Sequence, residues 1–271
     1  MSLSNEADEE FRRRYGPWVV IAGASEGIGQ AYADQLAAKG VNLITLARRA
    51  ELLEADARKL RAQYGVEVRP VSLDLAAPDL ATSFSAAIDG IDVGLLVYNA
   101  CYSHIGKFLG VPLADHLRTL DVNCRGPVTL VEHVAPRLIA RGRGGILLMS
   151  SMSGFQGSAM VTSYAATKAF NTILAESLWV ELRPLGVDVL ACVAGATSTP
   201  GFENSTPEAK KGKAMPMAAA DVAREGLAAL PHGPVHIAGR INRLVNAVSR
   251  LMTRRQRTSF FSGATQDIYT T

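Results

Sequence analysis

Short runs of apolar residues alternate along the chain with longer segments whose apolar residues recur at helical spacing. Continuous apolar runs of this kind are typical of strands buried on both faces of a sheet. The predicted strands are 18–23, 41–47, 66–73, 93–98, 145–150, 187–193 and, at one edge, 234–238. The predicted helices are 28–39, 51–64, 80–88, 113–141, 163–185, 218–230 and 240–254. This alternation predicts βαβ units with right-handed crossovers, and hence one doubly wound α/β domain: a parallel sheet of about seven strands with helices on both faces.

Two segments break the alternation. Residues 200–217 are rich in Pro, Gly, Ser and Lys and follow the sixth strand. Ligands of such sheets bind beyond the carboxyl ends of the strands, so this segment is expected to be a substrate lid, the alternative being a surface loop with a short helix. Residues 239–271 form a C-terminal extension, and no element is predicted for 258–271. With a core at about 17–238 and no linker or internal repeat, residues 1–271 are predicted to be a single domain.

The composition argues against several classes of protein. The chain has 271 residues, is 48% hydrophobic and 20% charged, and carries a net charge of +3, which is too small to indicate a nucleic-acid partner. No run of about 18 apolar residues occurs, so no integral membrane segment is expected, and no signal peptide is visible. The three cysteines are far apart and lack metal-binding spacing, so no metal site is expected and the default compartment is the reducing cytoplasm.

A glycine-rich turn, Gly23-Ala24-Ser25-Glu26-Gly27-Ile28-Gly29, follows the first strand and opens a helix. Glycines allow a tight turn and a close approach of a pyrophosphate, and the helix N-terminus supplies amides and a positive dipole. The spacing is GxxxGxG rather than GxGxxG, but the strand-turn-helix context is the required one. The turn therefore predicts a dinucleotide cradle, the alternative being a purely structural turn. Its candidate contacts are Gly23, Ser25, Gly27, Ile28 and Gly29.

The end of the second strand bears on the choice of cofactor. A carboxylate is expected there for a cofactor with a free ribose 2′-hydroxyl. This strand instead ends in Ala47-Arg48-Arg49, with no acidic residue until Glu51. Because guanidinium groups bind phosphate through charge-assisted hydrogen bonds, the pair predicts NADP(H) rather than NAD(H). Arg48 is the expected main contact and Arg49 the secondary one; a solvated arginine pair is the alternative.

Tyr164 and Lys168 lie four residues apart on a predicted helix and therefore share one face. A unit charge at ~4 Å, with an effective dielectric near 20, is worth roughly 4 kcal/mol, or about three pKa units. Lys168 is therefore expected to lower the pKa of Tyr164 toward neutrality and to make it an acid-base group. The pair alone is a weak signal, because any amphipathic helix can carry it.

With the glycine turn, the arginine pair and the Tyr-Lys pair in this order, the chain resembles the short-chain dehydrogenase/reductase family, whose short members are single Rossmann-type domains. The resemblance covers about residues 18–230. Ser151 lies thirteen residues before Tyr164, which is the family's Ser-Tyr-Lys spacing, whereas Ser150 and Ser153 lack that offset. Asn123 matches the family's helix Asn, which helps to hold a proton-relay water near the Lys. The resemblance implies a catalytic set of Asn123, Ser151, Tyr164 and Lys168.

The resemblance also implies further cofactor contacts. Matching positions are Asp74 and Leu75 at the adenine, Asn99 and Ala100 after the fourth strand, Thr197 and Thr199 at the nicotinamide carboxamide, and Tyr164 and Lys168 themselves. Four positions depart from the family's pattern: Ala22, Tyr98, Cys101 and Ala194 stand where it has Thr, Asn, Gly and Pro. Of these, Cys101 is expected to fill space at the substrate mouth.

The implied activity is the reversible, NADP(H)-dependent reduction of a ketone or aldehyde to an alcohol. Candidate pocket positions are mostly apolar and favour a hydrophobic carbonyl substrate; they are Tyr102, His104, Ile105, Phe155, Met160, Val161, Phe202, Met215 and Met217. Segments 15–18 and 92–97 look like those of steroid dehydrogenases and 3-oxoacyl thioester reductases. One alternative is therefore a 3-oxoacyl thioester reductase of lipid metabolism, with carrier phosphates near Lys210, Lys211 and Lys213. Another is an NADP-binding regulator without turnover.

The family also implies a homodimer or homotetramer. The helical stretches 113–141 and 163–185 form the usual subunit interface there. No partner besides a small-molecule substrate and further copies of the chain is expected.

Overall fold

The computed structural model describes residues 3–211 and 214–269, and its main sheet is built from the apolar runs of the sequence. All seven strands of that sheet are parallel, in the order β3-β2-β1-β4-β5-β6-β9, and β7 pairs separately with β8. The strands are β1 (Trp18–Ala22), β2 (Asn42–Ala47), β3 (Val68–Ser72), β4 (Val93–Tyr98), β5 (Gly144–Ser151), β6 (Val187–Ala194), β7 (Thr197–Ser198), β8 (Met217–Ala218) and β9 (Val235–Ile237). The predicted fold class is confirmed.

Helices cover both faces of the sheet. They are α1 (Leu3–Tyr15), α2 (Gly27–Ala38), α3 (Ala50–Tyr64), α4 (Leu80–Ala87), α5 (Leu113–Leu120), α6 (Gly126–Arg141), α7 (Thr162–Leu182), α8 (Pro200–Ser205), α9 (Glu208–Lys211), α10 (Ala219–Ala229), α11 (Arg240–Ser249) and α12 (Arg254–Tyr269). A π-helical turn, Asp121–Arg125, joins α5 to α6, so the predicted helical stretch 113–141 is continuous.

Two hydrophobic cores lie on opposite faces of the sheet, because alternate residues of each strand point to opposite sides. In β1, Val19 and Ile21 enter one core, whereas Val20 and Ala22 enter the other. The strand order reverses between β1 and β4, which leaves a crevice at their carboxyl ends. In open α/β sheets this crevice is where ligands bind.

The C-terminal extension differs from its prediction. The predicted helix 240–254 ends at Ser249, and a second helix, α12, begins at Arg254. The break is a capping box: Thr253 Oγ1 accepts from the amide of Gln256 at 3.3 Å, while Gln256 Oε1 accepts from the amide of Thr253 at 2.9 Å.

Helix α12 packs against the segment that was expected to form a lid. Lys210 Nζ donates to the carbonyl of Asp267 at 2.6 Å. Burial raises the pKa of Tyr269, and the nearby Ser205 and Thr206 lower it in part. Lys213 lies outside the described residues. Among the helices of 3–211 and 214–269, none is both long and apolar enough to cross a membrane.

Candidate active site

The glycine-rich turn lies at the crevice between β1 and β4 and tolerates only glycine at its key positions. Gly23 has φ +81°, and a Cβ there would lie 2.6 Å from Ala100 Cα. A Cβ on Gly29 would lie 1.9 Å from the carbonyl oxygen of Gly23. Asn99 Nδ2 donates to that same oxygen at 2.9 Å and so ties the end of β4 to the turn. The backbone is therefore open to close approach by a pyrophosphate at the start of α2.

The remaining members of the predicted cradle line the same turn. Ser25 and Ile28 are half-buried at the start of α2, with Gly27 between them. A Cβ on Gly27 would lie 2.9 Å from Thr199 Cγ2, so Thr199 covers the turn from the β6 side. Thr197 is buried and donates to the carbonyl of Gly195 at 3.1 Å.

Arg48 and Arg49 differ in what already holds them. Arg49 Nη2 lies 2.6 Å from Glu26 Oε2 and 3.1 Å from Ser25 Oγ, so its guanidinium is bound to the glycine turn. Arg48 is exposed, and its guanidinium makes no hydrogen bond or ion pair with any residue of the described chain. Its guanidinium is therefore the one that can bind a phosphate without breaking an existing contact.

Asp74 stands beyond the end of β3, close to this arginine. Burial raises the pKa of its carboxyl group, but the backbone amide of Ala76, Arg118 and the charge of Arg48 together lower the pKa below its usual value. Arg118 Nη2 contacts both carboxylate oxygens, at 3.1 and 2.9 Å. The neighbouring Leu75 is buried in the core. Sequence reasoning did not identify Arg118, because its contact with Asp74 spans 44 residues.

Ser151, Tyr164 and Lys168 come together where β5 ends and α7 begins. The Ser151 side chain lies close enough to the Tyr164 hydroxyl to affect its pKa. Lys168 Nζ lies 5.5 Å from the centroid of the Tyr164 ring and donates to the carbonyl of Met149 at 2.9 Å. Ser150 instead points toward α7, with its hydroxyl 2.8 Å from the carbonyl of Lys168. This arrangement explains why Ser151, and not its neighbour, faces the crevice.

The expected direction of the Tyr164 pKa shift is wrong. Its pKa is raised, first because the hydroxyl is buried and then because of Cys101, while the nearby Ser151 lowers the pKa only in part. Burial also lowers the pKa of Lys168, which is 3% exposed. The sequence could show that the two residues share a helix face, but not that both groups are desolvated. A raised pKa keeps Tyr164 as a neutral phenol, which can donate a proton.

Asn123 lies in the π-helical turn and is fully buried. Its Nδ2 donates to the carbonyl of Tyr102 at 2.9 Å and to Thr167 Oγ1 at 3.0 Å, and its Oδ1 accepts from the amide of Tyr102 at 2.8 Å. The side chain therefore fixes the turn.

Tyr98, one of the departures from the family's pattern, supports this turn. Its hydroxyl is buried and donates to the carbonyl of Val122 at 2.5 Å. A Cβ on Gly126 would lie 2.1 Å from that hydroxyl, so the larger side chain at 98 requires a glycine at 126. No sequence signal connects these positions, since the contact is tertiary.

On the substrate side, Cys101 is exposed and lies close enough to Tyr164 and Lys168 to influence the pKa of both. The space beside Tyr164 is a cavity of about 10 Å³, enough for about one water molecule. Its lining includes His104 and Met160, two of the predicted pocket positions. Two other predicted positions do not face it: Met215 is exposed, and Met217 packs against Gly239.

Helix α12 covers this side of the site, which sequence reasoning missed. Arg254 Nη1 donates to the carbonyl of Phe155 at 3.1 Å, and Ser262 Oγ accepts from the amide of Ala159 at 3.1 Å. At the end of α12, Tyr269 is close enough to Tyr164 to raise its pKa. The capping box Thr253-Arg254-Arg255-Gln256 is the signal that could have predicted this helix.

Comparisons with known proteins agree with this geometry. The family model described as short chain dehydrogenase matches residues 17–210. A 7beta-hydroxysteroid dehydrogenase of Collinsella aerofaciens is 34% identical over 205 residues, 76% of this chain and 78% of that protein. A very-long-chain 3-oxoacyl-CoA reductase of Anas platyrhynchos is 31% identical over 205 residues, 71% of this chain and 66% of that protein.

Solved structures show the same likeness. A structure from work on 7beta-hydroxysteroid dehydrogenase stereoselectivity superposes with a TM-score of 0.87 at 31% identity, covering 92% of this chain and 98% of that one. A short-chain dehydrogenase from Sphingobium yanoikuyae in complex with NADPH has a TM-score of 0.74 at 29% identity, covering 88% of this chain and 95% of that one.

Proposed function

This chain belongs to the short-chain dehydrogenase/reductase family, and we propose that it reversibly reduces a hydrophobic ketone to an alcohol with NADP(H). The chain is thus an oxidoreductase acting on CH–OH and C=O groups. The observation that carries the proposal is the cluster of Ser151, Tyr164 and Lys168 at the carboxyl end of β5, beside a glycine turn that only glycine can form.

NADP(H) is the cofactor. Bound NADPH supplies the hydride. The unpaired guanidinium of Arg48 is the group that would hold the 2′-phosphate, and the cramped glycine turn would hold the pyrophosphate. The similar Sphingobium yanoikuyae dehydrogenase was solved in complex with NADPH, which supports this assignment.

The protein's own groups handle the proton. Tyr164, kept neutral by its raised pKa, donates its hydroxyl proton to the carbonyl oxygen as that oxygen gains negative charge. Ser151 hydrogen-bonds the same oxygen and holds it against Tyr164. Lys168 would hold the nicotinamide ribose through its hydroxyls. A water near Asn123 would return the proton by way of Lys168.

A steroid-like ketone is the favoured substrate class. The similar Collinsella aerofaciens protein is a 7beta-hydroxysteroid dehydrogenase, which supports this class. Residues 200–217 serve as the lid and α12 as the outer wall.

A 3-oxoacyl thioester is the second candidate, supported by the similarity to very-long-chain 3-oxoacyl-CoA reductases. The two described lysines that were expected near the carrier phosphates are already paired with carboxylates, which argues against a thioester substrate. Lys211 is bound by Glu203 and Glu208, and Lys210 contacts Asp267. The steroid-like substrate is therefore preferred.

The working unit is a homodimer or homotetramer in the cytoplasm. Large apolar side chains on α5 and α7 are exposed; they include Leu113, Leu117, Ile173 and Val180. Exposed apolar patches of this kind favour burial against a second copy. Light scattering of the purified protein tests the number of copies.

Replacing the Tyr164 hydroxyl tests the activity. Tyr164→Phe should lose at least about 100-fold in kcat for ketone reduction while binding NADPH normally, because general acid catalysis contributes roughly 10²–10⁴-fold. Tyr64→Phe, on the outer surface of α3, is the matched control and should keep full activity. Near-normal turnover by Tyr164→Phe would refute the assignment. A wild-type protein that binds NADPH yet reduces no ketone in a panel of steroids, acyl thioesters, quinones and sugars would instead be a regulator.

A further inference from the structure

Helix α11 turns its polar side toward the protein and its apolar side toward solvent, which is the reverse of an ordinary surface helix. Of its residues only Ser249 is buried. The polar side chains point inward: Asn242 Nδ2 donates to the carbonyl of Ala238 at 2.7 Å, and Asn246 Oδ1 accepts from Arg257 Nη2 at 3.0 Å. Surface helices of globular proteins normally turn their apolar stripe toward the core. In α11 the polar residues anchor the helix to the protein instead.

The aliphatic side chains of this region face solvent. We call them the α11 face: Ile241, Leu244, Val245, Val248 and Leu251. Their exposed fractions run from 36% to 89%. Spacings of three and four residues place them on one side of the helix, so they form a continuous apolar stripe. A stripe of this kind indicates an interaction surface rather than scattered surface residues.

The charged side chains of the segment that carries this stripe are all positive. No acidic residue occurs between Glu225 and Asp267, and the six basic residues there are Arg240, Arg243, Arg250, Arg254, Arg255 and Arg257. Arg240, Arg250 and Arg255 are exposed, and their guanidinium groups have no hydrogen bond or ion pair with the described part of the chain. The nearby Glu225 is already bound by Arg243, His236 and the amide of Gly239.

This distribution of charge indicates whether the α11 face binds a second copy of the chain or a lipid surface. A second copy docked through the same face would bring two arginine-rich segments together with no carboxylate on either segment to offset the repulsion. An anionic lipid surface offers an apolar interior for the stripe and negative headgroups for the arginines.

We propose that the α11 face docks the protein on the surface of an anionic lipid bilayer, with α11 lying in the plane of the interface. Helix α12 follows directly and contacts the loop 155–159 beside the candidate active site. Docking would therefore bring the substrate entrance close to the membrane, where a hydrophobic ketone accumulates. That consequence rests on the proposed function, whereas the docking itself does not.

Vesicle sedimentation tests the docking with the full-length protein. Wild type should bind phosphatidylglycerol-containing vesicles more tightly than pure phosphatidylcholine vesicles, and the binding should weaken as salt rises. The double variant Leu244→Ser/Leu251→Ser should bind them weaker by about tenfold or more, since it removes two apolar anchors. Arg250→Gln/Arg255→Gln should lose the preference for the anionic lipid. Leu185→Ser is the control, because it replaces another exposed leucine, in the turn after α7.

Three outcomes would overturn the proposal. The first is that wild type does not bind anionic vesicles even at low salt, and the second is that the leucine and control variants bind equally. The third is that the leucine variant breaks an oligomer in light scattering while vesicle binding is unchanged, which assigns the face to a second copy. Reduction of a water-soluble ketone and the far-UV spectrum verify that each variant folds. If no ketone is reduced by any of these proteins, the proposed activity fails while the vesicle result still decides the docking.

Discussion

The contrast between Arg48 and Arg49 gives the sharpest test of the cofactor site. Arg49 is already bound to Glu26 at 2.6 Å, whereas Arg48 is exposed and unpaired within residues 3–211 and 214–269. Arg48→Ala should therefore remove the main contact to the 2′-phosphate. A hydrogen bond to a charged group is worth about 1.5–3 kcal/mol, which corresponds to a rise in the Kd for NADPH of roughly 10- to 150-fold.

The same reasoning predicts what should not change. The affinity of Arg48→Ala for NADH should stay within about twofold of wild type, because NADH has no 2′-phosphate. Arg49→Ala should raise the Kd for NADPH by only about two- to fivefold, the range of an exposed ion pair. Arg48→Lys should restore part of the affinity, since it keeps the charge but not the planar fork of donors.

Titration of nicotinamide fluorescence at fixed ionic strength measures all of these constants, with Arg58→Ala on α3 as a control for the loss of an exposed arginine. Equal losses for NADH and NADPH in Arg48→Ala would show that Arg48 does not bind the 2′-phosphate. A larger effect of Arg49→Ala than of Arg48→Ala would reverse the assignment of the two arginines.

Three further predictions follow from the site and its supports. Tyr98→Phe leaves the buried carbonyl of Val122 without its 2.5 Å donor, so chemical denaturation should show a loss of about 1–3 kcal/mol in the free energy of unfolding, and no loss would contradict the supporting role of Tyr98. The backbone amide of Gly239, His236 and Arg243 outweigh burial and lower the pKa of Glu225 to about 2, so its contribution of about 3 kcal/mol is present above pH 4.5 and is lost as the pH falls through 2. The stability difference between wild type and Glu225→Gln should therefore shrink between pH 6 and pH 3, and a constant difference would contradict this. Because the pKa of Tyr164 is raised, kcat/KM for ketone reduction should stay flat from about pH 7 to pH 9, whereas alcohol oxidation, which needs the phenolate, should keep rising; a fall in reduction across that range would indicate a lowered pKa.

The fold could be predicted from the sequence because parallel strands buried on both faces appear there as continuous runs of apolar residues. Val93–Tyr98 is buried at every position, and its bounds match the apolar run. Helix α12 has no comparable apolar pattern, since none of its residues is buried and side-chain hydrogen bonds to the loop 155–159 help to hold it. Periodicity finds helices that pack an apolar stripe on a core, and α12 does not do so.

The candidate site divides in the same way. The glycine turn could be predicted from local geometry, because the turn fixes where its backbone lies, whereas the choice of Ser151 depended on the spacing implied by the family resemblance. The Tyr164 pKa could not, because its direction depends on burial and on Cys101, which lies 63 residues earlier in the chain. A shared helix face sets which groups are neighbours, whereas desolvation sets which charge state each one prefers.

The departure at Tyr98 shows how one substitution propagates through this site. Its hydroxyl fixes the carbonyl of Val122, which belongs to the π-helical turn that carries Asn123. That contact is possible only because Gly126 leaves room, since a Cβ there would lie 2.1 Å from the hydroxyl. The effects of substitutions at positions 98 and 126 should therefore depend on each other. Gly126→Ala should destabilise the wild type, because the new Cβ forces the Tyr98 ring away. The same substitution should be tolerated once Tyr98 is replaced by the smaller Asn. If Gly126→Ala is equally costly in both backgrounds, the glycine is needed for the turn itself and not for the tyrosine.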